Sequence, residues 1–193
     1  MLRRLYDWVM DLAGHRHAEP ALAGVAFIES SVFPIPPDVM LMPMAYAHPQ
    51  RAFRYAAVAT VASVSGGLLG YAIGYFLFET VGLAILDFYG FSQQFETFAR
   101  RYNEHGAAIV FFAGLTPFPF KVITIASGVT GLGLVPFIAA SVVARGMRFF
   151  LVCGLIYWFG TPVRAFIERN LGWMTFIFGV LLVGGFLAAG YLL

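Results

Sequence analysis

FIESSVFPIPPDVMLMP, residues 27–43, is apolar at both ends and broken in the middle. Pro34, Pro36 and Pro37 cannot all occupy a helix interior, because each removes a backbone donor and clashes with the preceding turn. Before the break, residues 21–33 give about 20 Å of helix, and after it residues 38–48 give about 16 Å. Neither half alone crosses a hydrocarbon core of ~30 Å. The segment therefore either dips in and returns, or stacks its halves into one broken span. Exposed backbone at that depth is tolerated only beside protein or water, so the break must face inward.

A second stretch has the same character. Residues 111–128 read FFAGLTPFPFKVITIASG, with Pro117 and Pro119 at the interruption. A shift of 83 residues places Pro34 on Pro117, Pro36 on Pro119 and Asp38 on Lys121. The repeated core is thus PIPPD against PFPFK, and each copy is followed by a long apolar stretch, residues 53–78 and 135–160. If each copy is a re-entrant hairpin plus one crossing, the copies enter from opposite faces, as in inverted-repeat transporters. If each copy crosses twice, the copies are parallel. Positive-inside counting gives seven arginines against two in either case and leaves both placements open.

The rest of the chain fits a membrane setting. Of 193 residues, 60% are hydrophobic and 11% charged, with a mean hydropathy of +0.81. Soluble domains carry roughly 25% charged residues. A soluble enzyme, a disordered tail and a nucleic-acid binder are excluded; 12 Lys/Arg against 10 Asp/Glu make no basic field for phosphate backbones. Cys153 is the only cysteine, which excludes a disulfide scaffold. Asp7 and Asp11 interrupt what a secretion signal would need as an apolar core.

The expected fold is an all-α integral membrane protein, one domain over residues 1–193. It comprises an interfacial helix at 2–13, re-entrant hairpin 1 at 20–50, a transmembrane helix at 53–79 and an amphipathic linker at 84–104. Re-entrant hairpin 2 at 106–131 and transmembrane helices at 135–160 and 171–193 follow. In the linker, Phe91, Phe95, Phe98 and Tyr102 share one face, the pattern of an interfacial helix.

Glu29, Asp38, Lys121, Arg145 and Arg148 lie in apolar surroundings, where a lone charge costs roughly 2.5–3.5 kcal/mol. Such groups face a bundle interior or wet cavity and usually pair. The simplest arrangement is two carboxylates near two or three cations, with the hairpin tips meeting and Asp38 close to Lys121. Burial raises a carboxylate pKa and a neighbouring cation lowers it, so an acid poised between the two can exchange a proton. The cations can hold an anionic headgroup, with broken-helix ends adding backbone donors. A purely structural alternative stands beside this: Glu29 accepting bonds near Ser30 and Ser31, Asp38 capping the second half-helix, and the two arginines binding carbonyls. No nucleophile, base and orienter set stands out, no nucleotide loop is present and the histidines have no metal-site spacing, so neither an enzyme nor a metal or cofactor is expected.

E-S-S-V-F-P-I-P-P-D from Glu29 to Asp38, followed by G-L-T-P-F-P-F-K from Gly114 to Lys121, resembles the DedA family, also called the VTT or SNARE-associated Golgi protein family. The likeness is greatest to its short YqaA-type bacterial branch and covers about residues 20–160. The resemblance implies opposed re-entrant hairpins, a multi-pass bacterial inner-membrane location, a role in envelope homeostasis, and proton-dependent movement of lipids such as polyprenyl phosphates or phospholipids. It places functional acids at Glu29 and Asp38. Many members carry G-R-F-x-P-x-x-R in the second hairpin. Here Leu115 replaces the first arginine, Pro117 falls one place early, and Lys121 replaces the second arginine.

The function expected is therefore a transporter or flippase for an anionic lipid, with proton coupling through Glu29 and Asp38 and substrate contacts from Lys121, Arg145 and Arg148. Membrane lipids are expected as partners, nucleic acid is not, and the oligomeric state stays open. The alternatives are a proton-coupled exporter of a small soluble solute and a non-transporting structural or assembly factor.

Overall fold

The computed structural model describes residues 18–32, 36–116 and 118–160. The helices expected at 2–13 and 171–193, and Pro34 and Pro117, lie outside the described residues. Among the described residues every regular element is helical. They are α1 (Ala18–Ser31), α2 (Asp38–Ala47), a 3-10 turn (Pro49–Arg51), α3 (Ala52–Leu77), a π turn (Phe78–Gly82), α4 (Leu83–Tyr89), α5 (Ser92–Leu115), α6 (Phe120–Val129) and α7 (Leu134–Gly160). Two continuous helices, Pro49–Tyr89 and Leu134–Gly160, are long and apolar enough to cross a membrane.

Side-chain contacts fix the direction of each helix. Arg54 meets Glu19 at 2.8 Å, Gly66 lies against Phe27, and Gly70 lies against Ser30. So α1 runs beside α3 in the same sense, and α2 must bring the chain back to the start of α3. Leu41, Met44 and Ala45 of α2 share a core with Leu22 of α1, Ala52 and Ala56 of α3, and Phe149 of α7. On the other half of α3, Phe120 and Thr124 lie at Gly67, and Gly128 lies at Tyr71. Tyr102 bonds Ser127 and Asn103 bonds Thr130, while Gly114 touches Phe120. Hence α5 descends toward the second break and α6 returns antiparallel to it. α7 runs opposite to α3: Phe137 faces Gly67, Arg145 faces Ser63, and Phe150 and Tyr157 face Phe53.

The residues expected as an amphipathic linker behave differently. Helix continues past 79 through the π turn to Tyr89, and Gly90 then reverses the chain at φ +69°. A new helix begins at Ser92 and runs without interruption to Leu115, so no boundary falls between 104 and 106. The physical reason is that no proline interrupts 92–116, and Gly106, the only small breaker near the expected boundary, is covered by Leu132. The aromatic face does form. Phe78 stacks on Phe95 at 4.5 Å, and Phe95, Phe98 and Tyr102 continue at 6.3 and 6.0 Å. It packs on the π turn and reaches inward to Ser127 rather than lying in a separate surface helix.

Close approach of α3 to both flanking helices depends on glycine. A Cβ at Gly66 would overlap the Phe27 carbonyl, and one at Gly74 would overlap the Ile125 carbonyl. Both obstacles are backbone, so no rotamer change relieves them. Gly66→Ala and Gly74→Ala are expected to lose about 1–3 kcal/mol each, although alanine is the better helix former. Gly146→Ala, where the added atom meets only Thr60 at 3.8 Å, serves as control. Thermal unfolding in detergent reads the difference; equal midpoints for all three would refute the seam.

Candidate functional site

Broken helices leave carbonyls at one end and amides at the other without intrahelical partners. The structure answers this need across the two breaks. Lys121, in the first turn of α6, donates to the Val32 carbonyl at the end of α1 at 3.1 Å. Thr124 donates to the Ser30 carbonyl, also at 3.1 Å. Arg148 donates through Nη1 to the Thr116 carbonyl, just past α5, at 2.6 Å. A cation at the C-terminal end of a helix is favoured by the helix dipole, and both broken first halves receive one.

Two ion pairs join the first broken segment to α7. Arg145 Nη2 meets Glu29 Oε2 at 2.7 Å, and Arg148 Nη2 meets Asp38 Oδ2 at 2.5 Å. Residues 145 and 148 are three apart, so one helix face presents both guanidinium groups. The pairs differ in their surroundings. Arg145 is 2% exposed, with its Nε donating to Ser63 Oγ at 2.7 Å and its guanidinium over the rings of Phe120 and Phe149 at 5.1 and 4.7 Å. Glu29 also accepts from Ser30, whose hydroxyl shares a 2.6 Å bond with Ser63. This pair is buried and well supplied with partners, which is the condition for a stable internal ion pair. Asp38 and Arg148 are only partly buried, and Asp38 Oδ1 is sequestered with no hydrogen-bond partner among the described residues.

Several expectations meet a definite outcome here. Asp38 does not cap α2: the cap position is Pro37, with no side-chain bond, and Asp38 sits in the first helical turn. Asp38 pairs with Arg148 and not with Lys121, because Lys121 is committed to the Val32 carbonyl. Arg145 turns inward to Glu29 and so offers no exposed surface to a substrate. Pro36 is exposed, Pro37 is buried before α2, and Pro119 precedes α6 with an extended backbone. Ser63, Phe120, Phe149 and the Thr116 carbonyl were missed from sequence. Ser63 carried a usable signal, a hydroxyl one turn before Gly66–Gly67 in an uncharged span.

The VTT domain pattern matches residues 35–158, nearly the whole stretch from the first break to the end of α7. The chain belongs to the VTT domain family. The chain is also 36% identical to an uncharacterized protein of Haemophilus influenzae over 180 residues, covering 92% of this chain and 93% of that one. It is 38% identical to the "Uncharacterized protein HI0703 homolog" of Histophilus somni over 179 residues, 91% of this chain and 93% of the relative. No solved structure matches it. VTT domain proteins are membrane-associated, in keeping with the two long apolar helices. In this VTT domain protein, the matched region contains Asp38, Lys121, Arg145 and Arg148, while Glu29 precedes it.

Proposed function

We propose that this protein moves an anionic lipid across a bacterial inner membrane, with a proton exchanged at the paired acids. The observation that carries the reading is the Asp38–Arg148 pair. One guanidinium bridges an acid at the first break and a carbonyl at the second, and the pair is partly accessible. Helix directions support opposed re-entrant hairpins. α1 and α2 leave and return at the start of α3, and α5 and α6 leave and return beyond its far half. The breaks then meet inside the protein, where irregular backbone is tolerated.

In this reading the two acids have separate tasks. Glu29 holds Arg145 and fixes the distance between the first break and α7. Asp38 competes with an incoming phosphate or phosphate diester for Arg148. Protonation of Asp38 frees the fork, which can then grip the anion with two parallel bonds. Lys121 adds a second positive charge beside the first break.

Reconstitution tests this. Vesicles receive the protein with a fluorescent polyprenyl phosphate or, separately, a fluorescent phosphatidylcholine. Faster inward movement of the anionic probe, lost in the Asp38→Asn plus Lys121→Ala variant, is the expected result. Equal translocation by the native chain and this variant removes both residues from the mechanism. A pH-driven solute flux without lipid movement would favour the solute exporter. Full complementation of a deletion strain by the variant would favour the structural factor.

A further inference from the structure

A cavity of about 510 Å³ stands apart from the ion pairs, at the turn that joins α2 to α3. It is lined by Ala47, His48, Pro49, Gln50 and Arg51. Its volume falls within the range of ~300–1,000 Å³ usual for small-ligand sites. The turn is fixed by its own backbone. His48 N–H donates to the Met44 carbonyl at 3.0 Å, Arg51 N–H donates to the His48 carbonyl at 2.9 Å, and the proline ring sets φ between them.

The cavity has an unspent cation. Arg54, one turn further on, is paired with Glu19 at 2.8 Å, whereas Arg51 makes no ion pair among the described residues. No acid lines the cavity. One guanidinium fork therefore stands uncompensated, with an imidazole and an amide beside it as neutral donors and Ala47 and Pro49 as apolar wall. A planar fork with added neutral donors is the donor set that suits phosphate oxygens.

The depth of the turn narrows the source of that phosphate. Residues 55–78 carry no charge and as a helix are about 36 Å long, enough to cover a hydrocarbon core of ~30 Å. Arg51 and Arg54 thus lie at one headgroup level. Phe53 packs on Tyr157 at 5.4 Å and Trp158 is largely exposed, which is the aromatic belt expected there.

We propose that this turn is a binding site for the headgroup of an anionic phospholipid. Arg51 takes the phosphate, His48 and Gln50 add hydrogen bonds, and the acyl chains lie beside the exposed ring of Phe53. The lipid held here is a resident one, so the site does not rest on the transport reading. Its effect is to tie the return of the first hairpin to the membrane surface.

The test uses the full chain in neutral detergent, with energy transfer from tryptophan to a dansyl-labelled lipid as the readout. The expected result is a preference of about fivefold for phosphatidylglycerol over phosphatidylcholine, weakened by added salt and lost in Arg51→Gln. Arg51 is exposed, so Arg51→Gln keeps the native unfolding midpoint. Arg51→Lys keeps part of the preference, because the charge stays and the fork goes. Arg100→Gln removes an exposed arginine near the Tyr102–Ser127 contact, at the other end of the bundle, and leaves the preference unchanged. The Asp38→Asn plus Lys121→Ala protein also retains it, so failure of this site and failure of transport are separate results. Equal preference in the native chain and Arg51→Gln, or a preference lost only in the Asp38→Asn plus Lys121→Ala protein, overturns the site. Complete displacement of the lipid by inorganic phosphate overturns the lipid as its ligand.

Discussion

Arg145→Met is expected to destabilise the protein by about 3–5 kcal/mol, while Glu29→Gln combined with Arg145→Met restores most of that loss. Arg145 is 2% exposed, and the Glu29 carboxylate beside it takes bonds only from Arg145 and Ser30 among the described residues. Removing the guanidinium leaves the buried carboxylate with only the Ser30 hydroxyl, so it must either stay charged without a counter-ion or take up a proton. Replacing both partners removes the charge altogether, and methionine fills the slot between the rings. The measurement is unfolding in detergent followed by tryptophan fluorescence. A double variant as unstable as the single would show that the pair does not act as a unit. Ser63→Ala should cost less, about 1 kcal/mol, since it removes one neutral partner of a cation that keeps its main contact.

The proline breaks were legible in the sequence because they are local backbone effects, whereas the glycine seam shows only once the neighbouring helices are in place. Pro36, Pro37 and Pro119 bound the helices α2 and α6, and Gly66, Gly70 and Gly74 sit where α1 and α6 press on α3. The charged residues were legible as a set, since an ion in an apolar run needs a reason to be there. Their pairing was not. The repeat aligned Asp38 with Lys121, but alignment of two copies states which positions correspond and not which side chains touch. A lysine offers one point charge, and the Val32 carbonyl takes it. Arg148 has a fork with five donors and can serve Asp38 and Thr116 together. The continuity of α5 was hidden for another reason: its first half is amphipathic and its second half is apolar, so the composition changes where the backbone does not.

Asp38→Asn is expected to lower transport at least about tenfold and to flatten its dependence on pH, with little change in the unfolding midpoint. The small stability effect follows from isosterism: the amide oxygen of asparagine still accepts from Arg148, so no buried donor is left without a partner. The large functional effect follows from the proposed cycle, in which a proton taken up at residue 38 frees the guanidinium, a step that asparagine cannot perform. Arg148→Lys tests the complementary side. An ammonium can reach the aspartate or the Thr116 carbonyl but lacks the planar fork that spans both, so this conservative change should leave only a small residual rate of transport. Arg148→Lys should nevertheless keep the residual pH dependence, since Asp38 is intact, and this separates the two variants in one assay. An Asp38→Asn protein with the native pH profile would place the proton elsewhere, and native rates with Arg148→Lys would reduce the bridge between the two breaks to a simple charge.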